Sequence, residues 1–278
     1  MPVITIGSTK GGVGKSTLTI AMASELAVRG FKVHVLDADK RLDTQRWIKD
    51  ANIPGLTADP GTYINVGQER GERVTEENLI DLVDQAKGNH DFVFIDPMGG
   101  VGSVVLTYAI MESDLIIVPT CLSEMDVNAV DETVRIIRSA EKAKKQPITF
   151  KVLLNKVPTL PTKVHKYAAE RLGEKKLPMM IEMVWARTHF EQISYSGQPL
   201  RAHVDLEDEK GRRPYEQFNS LLAHIGIVLD MDMRTPELPT PRRPDYGDLD
   251  APEVDAAAQA VAEQRNKRAA KLEKTVQS

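Results

Sequence analysis

The chain has 278 residues, a formal net charge of -4, 41% apolar and 27% charged residues, and a single cysteine, Cys121. Such a composition fits a soluble globular protein with a sizeable core, and one cysteine excludes a disulfide framework or a multi-cysteine metal site within one chain. No apolar run approaches the roughly 20 residues that cross a bilayer, and the start MPVITIGSTK lacks the basic flank and long apolar stretch of a secretion signal, so a cytoplasmic location is expected.

Taken in order, short β-branched runs alternate with longer helical patterns. Val3–Ile6 reads as a strand, and a glycine-rich loop and a helix over Lys15–Arg29 follow. Strands are expected again at Val33–Leu36, Phe92–Ile95, Leu115–Val118 and Thr149–Leu154, with helices at Glu76–Lys87, Val127–Lys144 and Lys163–Leu172. Nearly unbroken apolar runs are what strands covered on both faces require. The rhythm predicts an open α/β fold, a mostly parallel sheet flanked by helices on both faces, with a C-terminal extension; the glycine-rich loop between the first strand and helix makes a P-loop NTPase the expected version of it. Ligands then gather at the carboxyl ends of the strands. The segment TPELPTPRRP carries four prolines in ten residues, which neither a helix nor a central strand tolerates. Residues 1–229 are therefore expected to form one α/β domain, and 230–278 a Pro-rich linker with an Ala/charged helical or disordered tail.

The loop STKGGVGKST, Ser8 to Thr17, lies between the first strand and the first helix. Glycines let backbone N–H groups curl around phosphate oxygens, and the helix N-terminus adds partial positive charge. Lys10, Gly11, Gly12, Val13, Gly14, Lys15, Ser16 and Thr17 are the expected ATP-binding residues, with Lys15 on the β/γ-phosphates and Ser16 on Mg²⁺. Thr9 stands where the usual pattern has its first glycine. Lys10 is an extra lysine. It is either a solvated surface residue or a charge that reaches the phosphates of a facing subunit, as arginine fingers do in phosphoryl transfer. The second reading predicts an ATP-dependent homodimer.

Asp37 and Asp39 close the second strand, and Asp96 closes another apolar strand, which places three carboxylates at the sheet edge that carries the loop. Alternation puts Asp37 and Asp39 on the same side of an extended chain, and Asp96 suits Mg²⁺ through water. Asn155, after the strand FKVLLN, either pairs with the adenine edge or serves as a helix cap or turn residue. Trp47 is either a packing residue or part of the functional surface.

KGGVGKS resembles the deviant phosphate loop of the ParA/MinD ATPases, whose first lysine crosses the dimer interface. VHVLDADK resembles the second strand and first switch of that family, and DFVFIDPMGG its magnesium-associated strand and second switch. GQPL followed by GRRPYEQFNSLL resembles its closing segment, with Gly211 and Tyr215 at family-like spacing. The resemblance covers about residues 1–228. It implies a slow, partner-stimulated, Mg²⁺-dependent ATPase with Lys10, Lys15 and Asp39 catalytic. Asp39 would orient the attacking water, while Asp37, with Ser16 and Asp96, supports the metal. The first switch departs from the common Asp-Pro-Gln: this chain has Asp39-Lys40-Arg41, and MGGVGS replaces Thr-Pro-Pro in the second. Those departures resemble the orphan relatives that promote plasmid or T-DNA conjugal transfer.

From Arg135 to Lys176 twelve Lys/Arg face three acids, a local excess of nine positive charges in a chain that totals -4. Such a face suits non-specific contact with DNA phosphates. The family binds DNA as an ATP dimer through basic residues in this part of the fold, which makes Lys163, Lys166, Arg187, Arg212 and Arg213 the candidates, and nucleoid association the expected location when ATP is bound. Only nine residues precede Lys10, so no helix-turn-helix autorepressor is expected.

Three functions compete. The first is a ParA-type positioning ATPase that moves a plasmid, a conjugation complex or another cargo with a ParB-like or cargo-linked partner. The alternative is a MinD-like membrane-associated ATPase; residues 251–278 offer Leu272 and Val276 but no Trp or Phe, so no stable membrane anchor is expected. The third is a metabolic enzyme on the same scaffold: a single cysteine argues against an iron–sulfur type, and a dethiobiotin-synthetase-like ligase would turn over without DNA or a protein partner.

Overall fold

The computed structural model describes residues 1–61, 76–100 and 103–236. The Ala/charged tail, expected to be helical or disordered, and Val101 and Gly102 lie outside the described residues.

Seven strands form one sheet: β1 (Val3–Ile6), β2 (Val33–Ala38), β3 (Leu56–Pro60), β4 (Phe92–Pro97), β5 (Leu115–Thr120), β6 (Phe150–Val157) and β7 (Met179–Trp185). Their order is β3-β2-β4-β1-β5-β6-β7, and every pairing is parallel. The expected α/β architecture is the one found. The helices are α1 (Lys15–Val28), α2 (Asp43–Ala51), α3 (Glu76–Lys87), α4 (Val104–Glu112), α5 (Glu124–Lys144), α6 (Lys163–Glu174), α7 (Thr188–Ser196) and α8 (Arg213–Leu229).

One face of the sheet packs on α1, α2, α7 and α8, where Leu18, Met22, Leu26, Trp47, Ile193 and Phe218 belong to one core cluster. On the other face Leu106, Val130, Ile137 and Leu172 cover β5 and β6, while Leu79 and Val83 cover β2 and β4. Strands β1, β2, β4 and β5 are buried along their whole length, as strands between two helical layers must be. Because β4 and β5 flank β1, the loops after β1, β2 and β4 open at one edge, where connections diverge to either side and leave a crevice.

Helix α1 is buried nearly all round, Glu25 included. That carboxylate is matched: Arg29 and Arg201 pair with it, at 3.2 and 2.6 Å, and the Tyr215 hydroxyl donates to it at 2.5 Å. The network fixes the helix behind the phosphate loop to α8. Packing does not stop at the end of α8: Met233 is buried in the core and the Arg234 guanidinium lies 4.0 Å from the Phe31 ring centroid. Thus Met233 and Arg234, expected at the start of the linker, pack on the α/β core.

Candidate functional site

The turn after β1 is a phosphate loop in geometry as well as in sequence. Gly12 and Gly14 have φ values of 79° and 93°, a region open chiefly to glycine. A Cβ at Gly14 would also sit 2.4 Å from the Asn155 amide nitrogen, so the close approach of β6 adds a second reason for glycine there. Gly14 is the N-cap of α1 and offers no side-chain cap, which leaves the first N–H groups of the helix for a ligand.

Two hollows meet at the loop. One, of about 600 Å³, is lined by Gly11, Gly12, Lys15, Ser16, Asp39 and Gly99, among others. The second, of about 370 Å³, has Asn155, Val184, Trp185, Arg187 and Phe190 in its walls. The lining of the first is about half polar and carries Lys15, and that of the second is mainly apolar, a division that suits phosphates and a base respectively.

Lys15 lies in the first hollow and donates to the Lys10 carbonyl at 3.3 Å. Burial lowers its pKa, and the nearby carboxylates of Asp96 and Asp39 oppose that shift. A Cβ at Gly99 would stand 2.6 Å from the Lys15 ammonium, so this glycine lets the end of the lysine side chain lie against the loop that follows β4. Lys10 is arranged differently. Its ammonium leaves the loop and pairs with Asp126 of α5 at 2.5 Å.

The three expected acids converge on this edge, each in a distinct setting. Asp37 is fully buried and accepts from the backbone N–H of Asp39 at 3.1 Å and of Gln45 at 2.9 Å. Both of its oxygens are thereby committed to the turn that opens α2. Burial raises its pKa, and these hydrogen bonds oppose the rise. Asp39 is partly exposed, lines the first hollow and accepts from the Arg41 N–H at 3.0 Å.

Asp96 is buried, and that burial pushes its pKa up to about 6 against the pull of the Thr44 and Ser16 hydroxyls. The Thr44 hydroxyl donates to Oδ2 at 2.6 Å, whereas Oδ1 is buried with no hydrogen-bond partner. A buried oxygen without a donor, beside the Ser16 hydroxyl, fits a hydrated Mg²⁺. No group of three or more His, Cys, Asp or Glu side chains suited to a metal occurs among the described residues. The site therefore fits a cation held largely by water and phosphate oxygens, with Ser16 and Asp96 as the protein contacts and Asp37 as their support.

Asn155 is buried and its amide donates to the Val13 carbonyl at 2.7 Å, so it braces the loop while lining the second hollow. The sequence pattern did not single out Thr44, Asp126 or Gly99, and it counted Lys156 only among the basic residues. None carries a motif; each acts through a contact far away in sequence. Trp47 proves to be a packing residue, 8% exposed, with its indole N–H on the Ile193 carbonyl at 2.7 Å.

The basic candidates are spread over three helices. Lys163 and Lys166 are exposed on α6. Arg187 caps α7 and lines the second hollow; it also shares a shallow depression with Pro214 and Gln217, next to Arg212 and Arg213. Arg212 pairs with Glu216 at 2.7 Å and Arg213 with Glu209 at 3.5 Å. No helix among the described residues is long and apolar enough to cross a membrane.

The family model described as VirC1 protein matches residues 1–211. The chain is 28% identical to Protein ParA of Rhizobium radiobacter over 158 residues, which make up 56% of this chain and 65% of that protein. It thus spans slightly less than two thirds of that relative. Over 229 residues it is 24% identical to the maintenance of carboxysome distribution protein A of Halothiobacillus neapolitanus, covering 80% of this chain and 95% of that one. The solved ATP complex of Cyanothece McdA superposes with a TM-score of 0.62 over 84% of this chain and 97% of the other, at 16% identity; that likeness establishes the fold. With the match over residues 1–211 and the loop geometry above, the chain belongs to the VirC1 protein family, a branch of the ParA/MinD ATPases.

Proposed function

We propose that this protein is a Mg²⁺-dependent ATPase that works as a dimerisation switch. In this reading ATP closes a homodimer, the dimer binds DNA without sequence preference, and a partner stimulates hydrolysis and release. The observation that carries it is the split between the two loop lysines. Lys15 lines the phosphate hollow, while the ammonium of Lys10 points to Asp126 and stays about one-third exposed, at 32%. A lysine that does not serve its own phosphates is available to a facing subunit, where charge supplied in trans stabilises phosphoryl transfer. Exposed Met125 and Val104 near the same edge support its burial against a second copy.

Within the site, Lys15 and the loop N–H groups hold the β- and γ-phosphates, and Ser16 and Asp96 hold Mg²⁺, which supplies positive charge to the transferring group. Asp39, at the mouth of the hollow, positions the attacking water; an ordinary carboxylate is a weak base, so orientation is its contribution. DNA is met by Lys163 and Lys166 and by the group of Arg187, Arg212 and Arg213. For a VirC1 family member with altered switches, the cargo we favour is DNA undergoing conjugal transfer, with a transfer-complex protein as the partner.

The test is light scattering with and without Mg-ATP, paired with binding to a random-sequence duplex. Wild type should dimerise and bind DNA only with ATP, with affinity falling steeply as salt rises. Asp39→Ala should hold ATP and stay dimeric and DNA-bound. A wild-type protein that binds DNA equally without nucleotide would sink the switch, and a dimer that pellets with anionic vesicles but ignores DNA would favour the membrane alternative.

A further inference from the structure

Two consecutive side chains at the end of β6 hold two consecutive carbonyls of the phosphate loop. The Asn155 amide donates to the Val13 carbonyl at 2.7 Å, and the Lys156 ammonium donates to the Gly12 carbonyl at 2.8 Å. Placing Lys156 there has a conformational cost. Its φ is 52°, in the left-handed region that disfavours a side chain, and the β6–β7 register shifts between Leu154 and Val157. Lys156 is also the one residue from outside the loop and α1 that lines both hollows, among the described residues.

A trans peptide is planar, with its C=O and N–H pointing in opposite directions. Whatever fixes the Gly12 carbonyl therefore also aims the N–H of Val13, and whatever fixes the Val13 carbonyl aims the N–H of Gly14. Glycine-rich segments otherwise leave such planes free to turn. An anion site built from backbone N–H groups works best when they already point at the anion.

We infer that Lys156 is a positioning residue of the nucleotide site: with Asn155 it pins the two peptide planes from Gly12 to Gly14, so that their N–H groups face the phosphates before any ligand arrives. The inference rests on the nucleotide-binding reading above for its function, though not for the brace itself. Lys156 differs from Lys15 in acting on the loop rather than on phosphate.

The test uses Lys156→Met, which keeps the length and removes the donor, and Lys156→Arg, which returns one. Amide exchange is followed at residues 11–16 of the nucleotide-free protein, and calorimetry measures binding of Mg-ATP and of inorganic tripolyphosphate, which has no base. Loss of one such hydrogen bond should speed exchange at Val13 and Gly14 by about five- to tenfold. Affinity for both ligands should drop by a similar factor, and Lys156→Arg should recover most of it. Unchanged exchange in Lys156→Met overturns the brace, and so does a loss of ATP affinity without a loss for tripolyphosphate, since that would place Lys156 on the base. If the wild type binds neither ligand, the nucleotide reading fails by itself, and the exchange rates still decide whether the brace exists.

Discussion

The Lys10 ammonium and the Asp126 carboxylate of the same chain are 2.5 Å apart. Asp126 is buried in the first turn of α5, where its backbone N–H and its carboxylate both bond the Ser123 hydroxyl. A lysine that is to serve a facing subunit must first leave this partner and abandon a buried carboxylate. The pair is thus a restraint on the monomer. Asp126→Asn keeps the shape and a bond to Ser123 but removes the charge, so the dimer should form at roughly three- to tenfold lower ATP, the equivalent of about 1 kcal/mol. Lys10→Ala should bind ATP appreciably yet stay monomeric and inactive. Light scattering across an ATP titration checks both; an unmoved midpoint in Asp126→Asn would mean the pair is no restraint.

Thr44 ties the start of α2 to the carboxylate beside the metal position, with its hydroxyl 2.6 Å from Asp96 Oδ2. Asp96 Oδ1 already lacks a partner, so Thr44→Val would also take the Thr44 hydrogen bond from Oδ2 of this buried group. Such an orphaned acceptor costs about 1–3 kcal/mol. The urea midpoint of the metal-free protein should fall accordingly, while Thr44→Ser, which restores the donor, should recover most of the loss. Equal midpoints for the Val and Ser variants would show that the bond contributes nothing.

These contacts mark the boundary of what the sequence made legible. Strands β1, β2, β4 and β5 were readable because both faces are buried, which forces apolar runs, and β6 because Val152 and Leu153 at its centre are buried. The edge strands β3 and β7 were missed: LTADP alternates buried and exposed positions, and MMIEMVW contains a glutamate that bonds Ser220 and His224 on α8. Strand β5 runs through Pro119 to Thr120, two residues past the expected Leu115–Val118. Helices α2, α4 and α7 went unnoticed because nine residues give barely two turns of pattern, and the 17-residue α8 was read only as a closing segment. Within the site, the phosphate loop and the three aspartates announced themselves by position after strands. Thr44, Asp126, Gly99 and Lys156 did not, because their partners lie 52, 116, 84 and 144 residues away, and only the folded sheet brings those pairs together.

Behind the loop, Glu25 is fully buried with two arginines and Tyr215 converging on it. Burial, reinforced by the Glu25 charge, pushes the Tyr215 hydroxyl up to about 12, so it remains a donor at any working pH. Glu25→Gln would leave Arg29, whose side chain is 1% exposed, facing a neutral group. Breaking a buried pair from one side costs about 3–5 kcal/mol, whereas Tyr215→Phe removes one charged hydrogen bond for about 1.5–3 kcal/mol. Thermal or urea unfolding should rank wild type above Tyr215→Phe and that above Glu25→Gln. The reverse order would mean that the aromatic packing, not the charge, is what the cluster protects.

His34 supplies the pH dependence. It is buried on β2, bonds the Thr57 hydroxyl at 2.8 Å and stacks on His90 at 4.8 Å between ring centroids. Burial, and then the His90 charge, lower its pKa from 6.5 to about 4, with Asp59 opposing. The unfolded chain therefore binds a proton between about pH 6.5 and 4 that the folded chain refuses. Stability from this residue is complete above the unfolded value, and it is lost as pH falls through that window. At one pKa unit per ~1.4 kcal/mol, the loss by pH 4 should be on the order of 2–3 kcal/mol. Urea unfolding of the nucleotide-free protein at pH 7, 5.5 and 4.5 tests it against His34→Gln, which has no proton to take up. Wild type should weaken more steeply on acidification than the variant; parallel slopes would show that His34 titrates normally in the fold.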